Sequence, residues 1–371
     1  MPEYNISNIK LIRNPEIEEF KQAIDSRYGK KLIFTKMNIN RLRQGLGIIL
    51  RQSFVIPGLI NNYFYSFRGK YPLRSLEVAI GYDCNFSCSQ CSCALNRDTK
   101  RTRLSLNEFK NTIDQAIDMG AFQFNLNGGE PMLYFEEVKE LCSYIRKRNC
   151  YVHMATNGFF FTFERIKEMH KAGLNSFEMG LDSSVEKIHD ANRGKGSYQK
   201  IMDNAIFAQS LGLKVAFNTV GTKEKIYNGD LLNTAYLARK LGVLLMITPP
   251  CVTGHWRGKL EVLLNEEEKW YIRWLLSMFK NTRIDNYNGL KKISCPAGRE
   301  KLAVNPYGDV VSCPLIQIVY GNIKNDTLVS IQKKILKDKF YLKGFDDGCL
   351  PSHDINFINE RLINYRDSIN N

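Results

Sequence analysis

The sequence predicts an α/β fold assembled from parallel β/α units, and three observations predict it. Short apolar strand patterns recur along the chain, amphipathic helical stretches separate them, and each strand candidate runs at once into a distinctive polar loop. The strands centre on Leu76, Val78 and Ile80; Phe122, Phe124 and Leu126; Val152 and Met154; Phe177, Met179 and Leu181; Val215 and Phe217; and the run Val243 to Ile247. Helical patterns cover Ser105 to Met119, Phe135 to Arg146, Phe163 to His170, Tyr198 to Leu211 and Leu231 to Leu241, several closed by glycine. Strand, helix, strand at this spacing implies parallel pairing and right-handed crossovers. An open doubly wound sheet and a full or partial barrel both satisfy that pattern.

The loops after the six strands are Tyr82 to Cys93, Asn127 to Pro131, Thr156 to Gly158, Asp182 with Ser183, Asn218 with Thr219, and Thr248 to Cys251. In parallel β/α folds the ligand lies at the C-terminal ends of the strands, so all six loops are expected to face one site. Three regions follow: a mainly helical extension over residues 1–70, the β/α core over 71–285, and a small cysteine-bearing unit over 286–371. The last unit carries an expected hairpin at KLAVNPYGDVVSC, turning at Tyr307, Gly308 and Asp309.

Composition bounds the function. With 44% hydrophobic residues among 371, the chain can bury one large core. The opening MPEYNISNIK has neither a basic nor an apolar signal region, and no stretch approaches the roughly 18 uninterrupted apolar residues of a membrane span, so a cytoplasmic location is expected. Within residues 1–70, the stretch GLGIILRQSFVIPGLINNYFYSF is interrupted by Arg51, Gln52 and Pro57 and flanked by Arg41, Arg43, Arg68 and Lys70. A helix capping the main domain is the expected role, and a peripheral membrane contact is the other. The net charge of +14 favours acidic partners without choosing among them.

Ten cysteines are too sparse for a secreted disulfide scaffold, and three crowd between Cys84 and Cys91. Cys84, Cys88 and Cys91, spaced C-x3-C-x2-C, can converge three thiolates on one centre, whereas structural zinc usually takes paired C-x2-C sets or Cys/His mixtures. Three thiolates on a four-iron cubane leave one iron open, which marks a catalytic metal.

Here the sequence resembles the radical S-adenosylmethionine (radical SAM) superfamily, whose signature is this spacing after the first strand of a partial (β/α)6 TIM-type barrel. The resemblance implies a 4Fe–4S cluster on Cys84, Cys88 and Cys91 that cleaves S-adenosylmethionine to a 5′-deoxyadenosyl radical. Gly128, Gly129, Glu130 and Pro131 resemble the family's second-strand motif, which implies that Glu130 and the neighbouring backbone bind the cofactor's amino group. Asp182 and Ser183 fall where the family contacts the ribose, Arg193 where related enzymes place a carboxylate partner, and Asn157 joins this cofactor-binding set. The residue before the third cysteine, often aromatic in the family and near the adenine, is Gln90 here. Cys93 is a bystander, because the cysteine set is complete without it.

Cys295 and Cys313 flank the expected hairpin and Cys349 follows in the tail, resembling the SPASM or twitch extension of radical SAM enzymes. This implies an auxiliary iron–sulfur cluster on Cys295, Cys313 and Cys349, its fourth position open or filled by Cys251, His353, Asp354 or substrate. Zinc, or an extension without metal, is the alternative. Cys142 is expected in the core, and Cys150 is given no role. The implied activity is an oxidative or bond-forming modification of a peptide, lipid or small molecule, with a flavodoxin- or ferredoxin-type electron donor. The alternative from another class is a non-enzymatic, basic, metal-stabilised nucleic-acid-binding protein, but no nucleic-acid module or aromatic-interleaved basic run is present.

Overall fold

The computed structural model describes residues 16–67, 71–284, 295–342 and 348–363; Arg68 and Lys70 lie outside them. Its strands are β1 Ser75–Ala79, β2 Gln123–Asn127, β3 Tyr151–Thr156, β4 Ser176–Gly180, β5 Lys214–Val220, β6 Leu244–Thr248, β7 Thr282–Ile284, β8 Lys301–Val304, β9 Asp309–Val311 and β10 Gly321–Asn322. They form one sheet in the order β10-β9-β8-β1-β2-β3-β4-β5-β6-β7. From β8 through β1 to β7 every pairing is parallel, and β9 and β10 are antiparallel. The series has two ends, so the barrel is partial.

The helices are α1 Glu16–Asp25, α2 Gly29–Arg51, α3 Ile56–Phe67, α4 Leu106–Asp118, α5 Phe135–Arg146, α6 Phe163–Lys171, α7 Glu186–Arg193, α8 Ser197–Ser210, α9 Lys223–Tyr227, α10 Asp230–Lys240, α11 Glu266–Met278 and α12 Leu328–Ile335. Their starts are encoded locally. Ser105 and Glu108 form a capping box that satisfies the orphan N–H groups of α4, and Asn265 and Glu268 repeat the device at α11.

Alternation along the strands divides the interior in two. Phe124, Leu126, Val152, Met154, Phe177, Met179, Phe217, Leu245 and Ile247 are buried in the core cluster that the helices complete. The intervening Gln123, Asn125, Asn127, Tyr151, His153, Ser176 and Glu178 turn the other way and line the barrel lumen.

Two features extend the expected architecture. Strand β7 adds a seventh to the six read from the sequence. The C-terminal hairpin forms at the expected place, but β8 pairs in parallel with β1, so residues 301–311 continue the core's own sheet. At the opposite end α2 packs on α11, where Asn40 Nδ2 donates to the Leu276 carbonyl and Gln44 Nε2 to those of Lys280 and Thr282. Met37, Arg41 and Gln44 of α2 line the lumen with the strands, so this helix caps the barrel. No helix among the described residues is long and apolar enough to cross a membrane.

Candidate active site

The loop after β1 carries Cys84, Cys88 and Cys91, and the next strand-end loop is pressed against it. Gly129 N–H donates to the Gly81 carbonyl (2.7 Å) and Glu130 N–H to that of Asp83 (2.8 Å). That approach requires glycine: a Cβ on Gly128, whose φ is +146°, would stand 2.2 Å from the Gly81 oxygen, and one on Gly129 2.4 Å from the Asp83 oxygen. On the other side Gly254 lies under the Cys91 carbonyl, and His255 N–H donates to it (3.1 Å).

All three thiols line a cavity of about 1010 Å³. Burial pushes the Cys88 thiol up to about 11. Cys91 is brought down to about 6, first by the hydrogen bond from Cys93, whose Sγ lies 3.6 Å away. Cys93 correspondingly holds its proton and shares it with the Gly128 carbonyl (3.3 Å). Cys84 Sγ accepts from the Phe86 N–H and from Asn157 Nδ2, which also reaches Asn85.

Opposite the thiols, Asp182 and Arg193 form a bidentate pair, Nε to Oδ2 at 2.8 Å and a terminal nitrogen to Oδ1 at 2.9 Å. Burial works to raise the Asp182 carboxyl, but the Arg193 charge and hydrogen bonds outweigh it and hold the group well below the usual carboxylate range. Gly180 makes room, since a Cβ there would meet the guanidinium at 2.2 Å. Gln90 donates to Asp182 Oδ1 (2.7 Å), and Asn192 Nδ2 reaches both Gln90 and Asp182 while its Oδ1 receives the Ser89 N–H. The residue that departs from the family's aromatic therefore belongs to this carboxylate network. Asn192 was missed in the sequence, although it sits inside HDANRG beside Arg193. Lys225 was missed as well: it is half-buried, bonded to Thr219 Oγ1 (2.9 Å), and desolvation lowers its affinity for a proton while Asp182 opposes that.

His189 supports Asp182 from behind, with Nδ1 accepting the Asp182 N–H (3.1 Å). The ring is therefore neutral, and burial, followed by the Arg193 charge, brings it down to about 4 from 6.5. An unfolded histidine takes its proton at the ordinary value, so this residue favours folding above pH 6.5 and loses that advantage as pH falls towards 4. We expect urea unfolding to show a decline of up to about 3 kcal/mol over that window, at about 1.4 kcal/mol per pH unit. His189→Gln should flatten it.

Glu130 and Ser183 are fully buried. The Glu130 carboxylate accepts from Met132 N–H (2.9 Å), Thr156 Oγ1 (2.7 Å) and Asn157 N–H (2.7 Å), which ties the second strand-end loop to the third. Three of its roughly four acceptor positions are thus taken. Pro131 opens the short turn that follows, and the Ser183 hydroxyl accepts from Val185 N–H (3.0 Å).

Cys295, Cys313 and Cys349 are all buried, and each lies close enough to another for their charges to interact. Burial pushes Cys295 up to about 11 and Cys313 further. Cys313 lines the same cavity as the first three thiols. Cys251 is buried too, its Sγ against the Pro249 carbonyl (3.3 Å). Asp354 is committed to capping Asn356 and Phe357 N–H, whereas His353 Nδ1 is buried without a hydrogen-bond partner. Among the described residues no three His, Cys, Asp or Glu are gathered as a single metal ion would gather them.

Below the thiols the lumen is polar. Tyr151 donates to Ser176 Oγ (2.8 Å), which contacts His153 Nδ1 (2.7 Å); His153 Nε2 lies 3.4 Å from Glu178 Oε2. Asn218 donates to Glu178 Oε1 (3.2 Å), and Thr248 to Asn218 Oδ1 (3.0 Å), completing a chain to the strand-end mouth. Burial would raise Glu178, but His153, then Arg283 from β7, keep it below the usual range. Across the lumen Glu77 pairs with Lys301 (3.0 Å) and accepts from Asn125 and Asn127.

The donor chemistry fits an iron–sulfur cluster at the first trio: three sulfurs on one loop at a cavity edge, with thiol protons that a bound metal displaces. A family model for the radical SAM superfamily matches residues 78–227, which run from β1 into α9 and include the thiols, Asp182 and Arg193. Mycofactocin maturase MftC of Mycolicibacterium smegmatis is 28% identical over 273 residues, 68% of this chain and 67% of the relative. The crystal structure of Streptococcus suis SuiB bound to precursor peptide SuiA aligns with a TM-score of 0.59 at 14% identity, over 73% of this chain and 67% of that one. Native anSMEcpe with bound AdoMet and Cp18Cys peptide aligns with a TM-score of 0.56 at 17% identity, over 81% of this chain and 95% of that one. Both structures share the fold described above.

Proposed function

We propose that this radical SAM enzyme, which uses S-adenosylmethionine and a 4Fe–4S cluster, oxidises or crosslinks a polar side chain of a peptide reaching into the lumen. The observation that carries this reading is the single cavity shared by Cys84, Cys88, Cys91, the Glu178–His153 pair and Cys313. Cys84, Cys88 and Cys91 would hold the cluster that, with S-adenosylmethionine, supplies a 5′-deoxyadenosyl radical to remove a substrate hydrogen atom. Cys295, Cys313 and Cys349 would hold an auxiliary cluster able to take the remaining electron, and a flavodoxin- or ferredoxin-type protein would supply reducing equivalents.

The chain's own residues do the positioning. Gly128 and Gly129 leave backbone open to the cofactor's amino group, with the last acceptor position of Glu130 behind them, and the Asp182–Arg193 pair sets the opposite wall. Oxidising a carbon centre after hydrogen-atom loss releases a proton. Glu178, kept anionic beside His153, is placed to accept it and pass it along the Ser176–Tyr151 chain. The relatives above, a maturase and two proteins solved with peptides, support a peptide substrate. The polar lumen supports a polar side chain over an isoprenoid, since an apolar chain would strip water from Glu77, Lys301, Glu178 and Arg283 without replacing its hydrogen bonds.

The test is anaerobic incubation of reconstituted enzyme, reductant and a peptide library, read by mass spectrometry for loss of two hydrogens alongside 5′-deoxyadenosine. Glu178→Gln should still form 5′-deoxyadenosine yet yield product at least about 100-fold more slowly. Wild-type rates of product in that variant would remove Glu178 from the chemistry. Oxidation of small alcohols but no peptide would remove the peptide reading.

A further inference from the structure

The charge of the chain is concentrated in one place. Between Asp25 and Glu77 there are ten Lys or Arg residues and no Asp or Glu, so 51 residues carry ten of the fourteen net positive charges. Helices α2 and α3 occupy most of that span.

Helix α2 presents two different faces. Ile33, Met37, Asn40 and Gln44, at helical spacing, face the protein: Ile33 is buried, Asn40 bonds the backbone in the last turn of α11 and Gln44 the backbone just beyond it, and Met37 and Gln44 line the lumen. Turned away from them is a second stripe, Tyr28 just ahead of the helix, then Leu32, Ile39, Leu42 and Leu46, exposed at 65%, 53%, 42%, 67% and 57%. From Tyr28 to Leu46 it runs about 27 Å at 1.5 Å per residue. Lys31, Lys36 and Arg43 are exposed along the same helix, and Ile60 of α3 is 64% exposed. An apolar ridge this long is costly to leave in water, and monomeric surfaces seldom carry one without use.

We infer that α2 is a peripheral membrane-docking helix, laying Leu32, Ile39, Leu42 and Leu46 into the interface of an anionic bilayer while Lys31, Lys36 and Arg43 meet lipid headgroups. An acid-free, cation-flanked apolar stripe is what such a surface recognises: the leucines gain by leaving water, and each nearby cation adds attraction to the negative leaflet. The inference does not depend on the reaction, and the polar lumen on the helix's other side keeps it separate from any lipid substrate.

The test uses the full chain with its clusters reconstituted, sedimented with vesicles of phosphatidylcholine alone or mixed with phosphatidylserine. The protein should pellet with the mixed vesicles at low ionic strength, only weakly with phosphatidylcholine, and be released partly by salt as the charge attraction is screened. Leu42→Ser/Leu46→Ser and Lys31→Glu/Arg43→Glu should each weaken partition at least about tenfold. Both change exposed positions, so unchanged circular dichroism and iron content show that the variants fold. Three results overturn the inference. The first is a wild type that stays in the supernatant at low salt; the second is a concentration-dependent dimer that Leu42→Ser/Leu46→Ser dissolves, assigning the face to a second copy; the third is binding to polyglutamate but to no vesicle, assigning it to an acidic protein.

Discussion

Replacing Cys84, Cys88 and Cys91 together by alanine is expected to abolish 5′-deoxyadenosine formation and remove about four of about eight irons per chain, the content of two cubane clusters. The three sulfurs stand on one loop whose backbone is held by Gly129 N–H on the Gly81 carbonyl, Glu130 N–H on that of Asp83 and Cys91 N–H on that of Cys88, with Asn157 on the Asn85 side chain, and none of these bonds uses a sulfur, so the loop should survive their loss. Cys93 lies 3.6 Å from Cys91 and holds a proton that Cys91 shares. Cys93→Ala should therefore keep full iron and activity, while Cys91→Ala alone should retain some iron through Cys93 and Cys91→Ala/Cys93→Ala should not. Replacing Cys295, Cys313 and Cys349 should remove the other half of the iron and leave cofactor cleavage in the absence of substrate. Iron and sulfide analysis with anaerobic chromatography reads all five cases. Full iron in the first triple variant would falsify the assignment of the catalytic cluster.

Strand positions were legible because the apolar pattern reports one face of the sheet. Phe124, Leu126, Met154 and Phe177 pack beneath the helices, and a helix-covered face must be apolar wherever the chain supplies it. The other face was not legible as a site. Glu77, His153 and Glu178 occupy intervening positions, where an isolated strand reads as half-exposed, and only closure towards a barrel brings them into one lumen with Lys301 and Arg283. Lys301 joins Glu77 because β8 pairs with β1 across more than 200 residues of chain, and nothing local announces that pairing.

At the strand ends the case differs. The glycine pair at 128 and 129 and the thiol spacing are short-range facts, and short-range facts survive in sequence. Glu130 shows the limit: its place in the motif suggested a ligand contact, whereas its three hydrogen bonds, two of them from the next strand-end loop, show what the carboxylate holds together. Asn192 and Gln90 share an equivalent dependence, since each matters only once α7 is laid beside the cysteine loop.

That junction supports the second large effect. Arg193→Met is expected to destabilise the protein by about 3–5 kcal/mol, because it leaves the Asp182 carboxylate buried without its cation. The native pair is nearly closed from water, with side chains 14% and 7% exposed. Asp182→Asn should cost a similar amount from the other side, stranding the guanidinium beneath Gly180. The double change Asp182→Asn/Arg193→Met removes both charges, so its loss should fall well short of the sum of the two single losses. The sign with pH is fixed by Asp182: its folded carboxyl titrates below the unfolded one, so the pair's contribution is present above the ordinary value near 3.8 and fades as pH drops below it. Chemical denaturation of the four proteins without added cofactor, at neutral pH and at pH 3.5, separates this coupling from any role of Arg193 in binding S-adenosylmethionine. If the double variant is as unstable as the two losses added, Asp182 and Arg193 act independently, and the buried pair is not what joins the cysteine loop to α7.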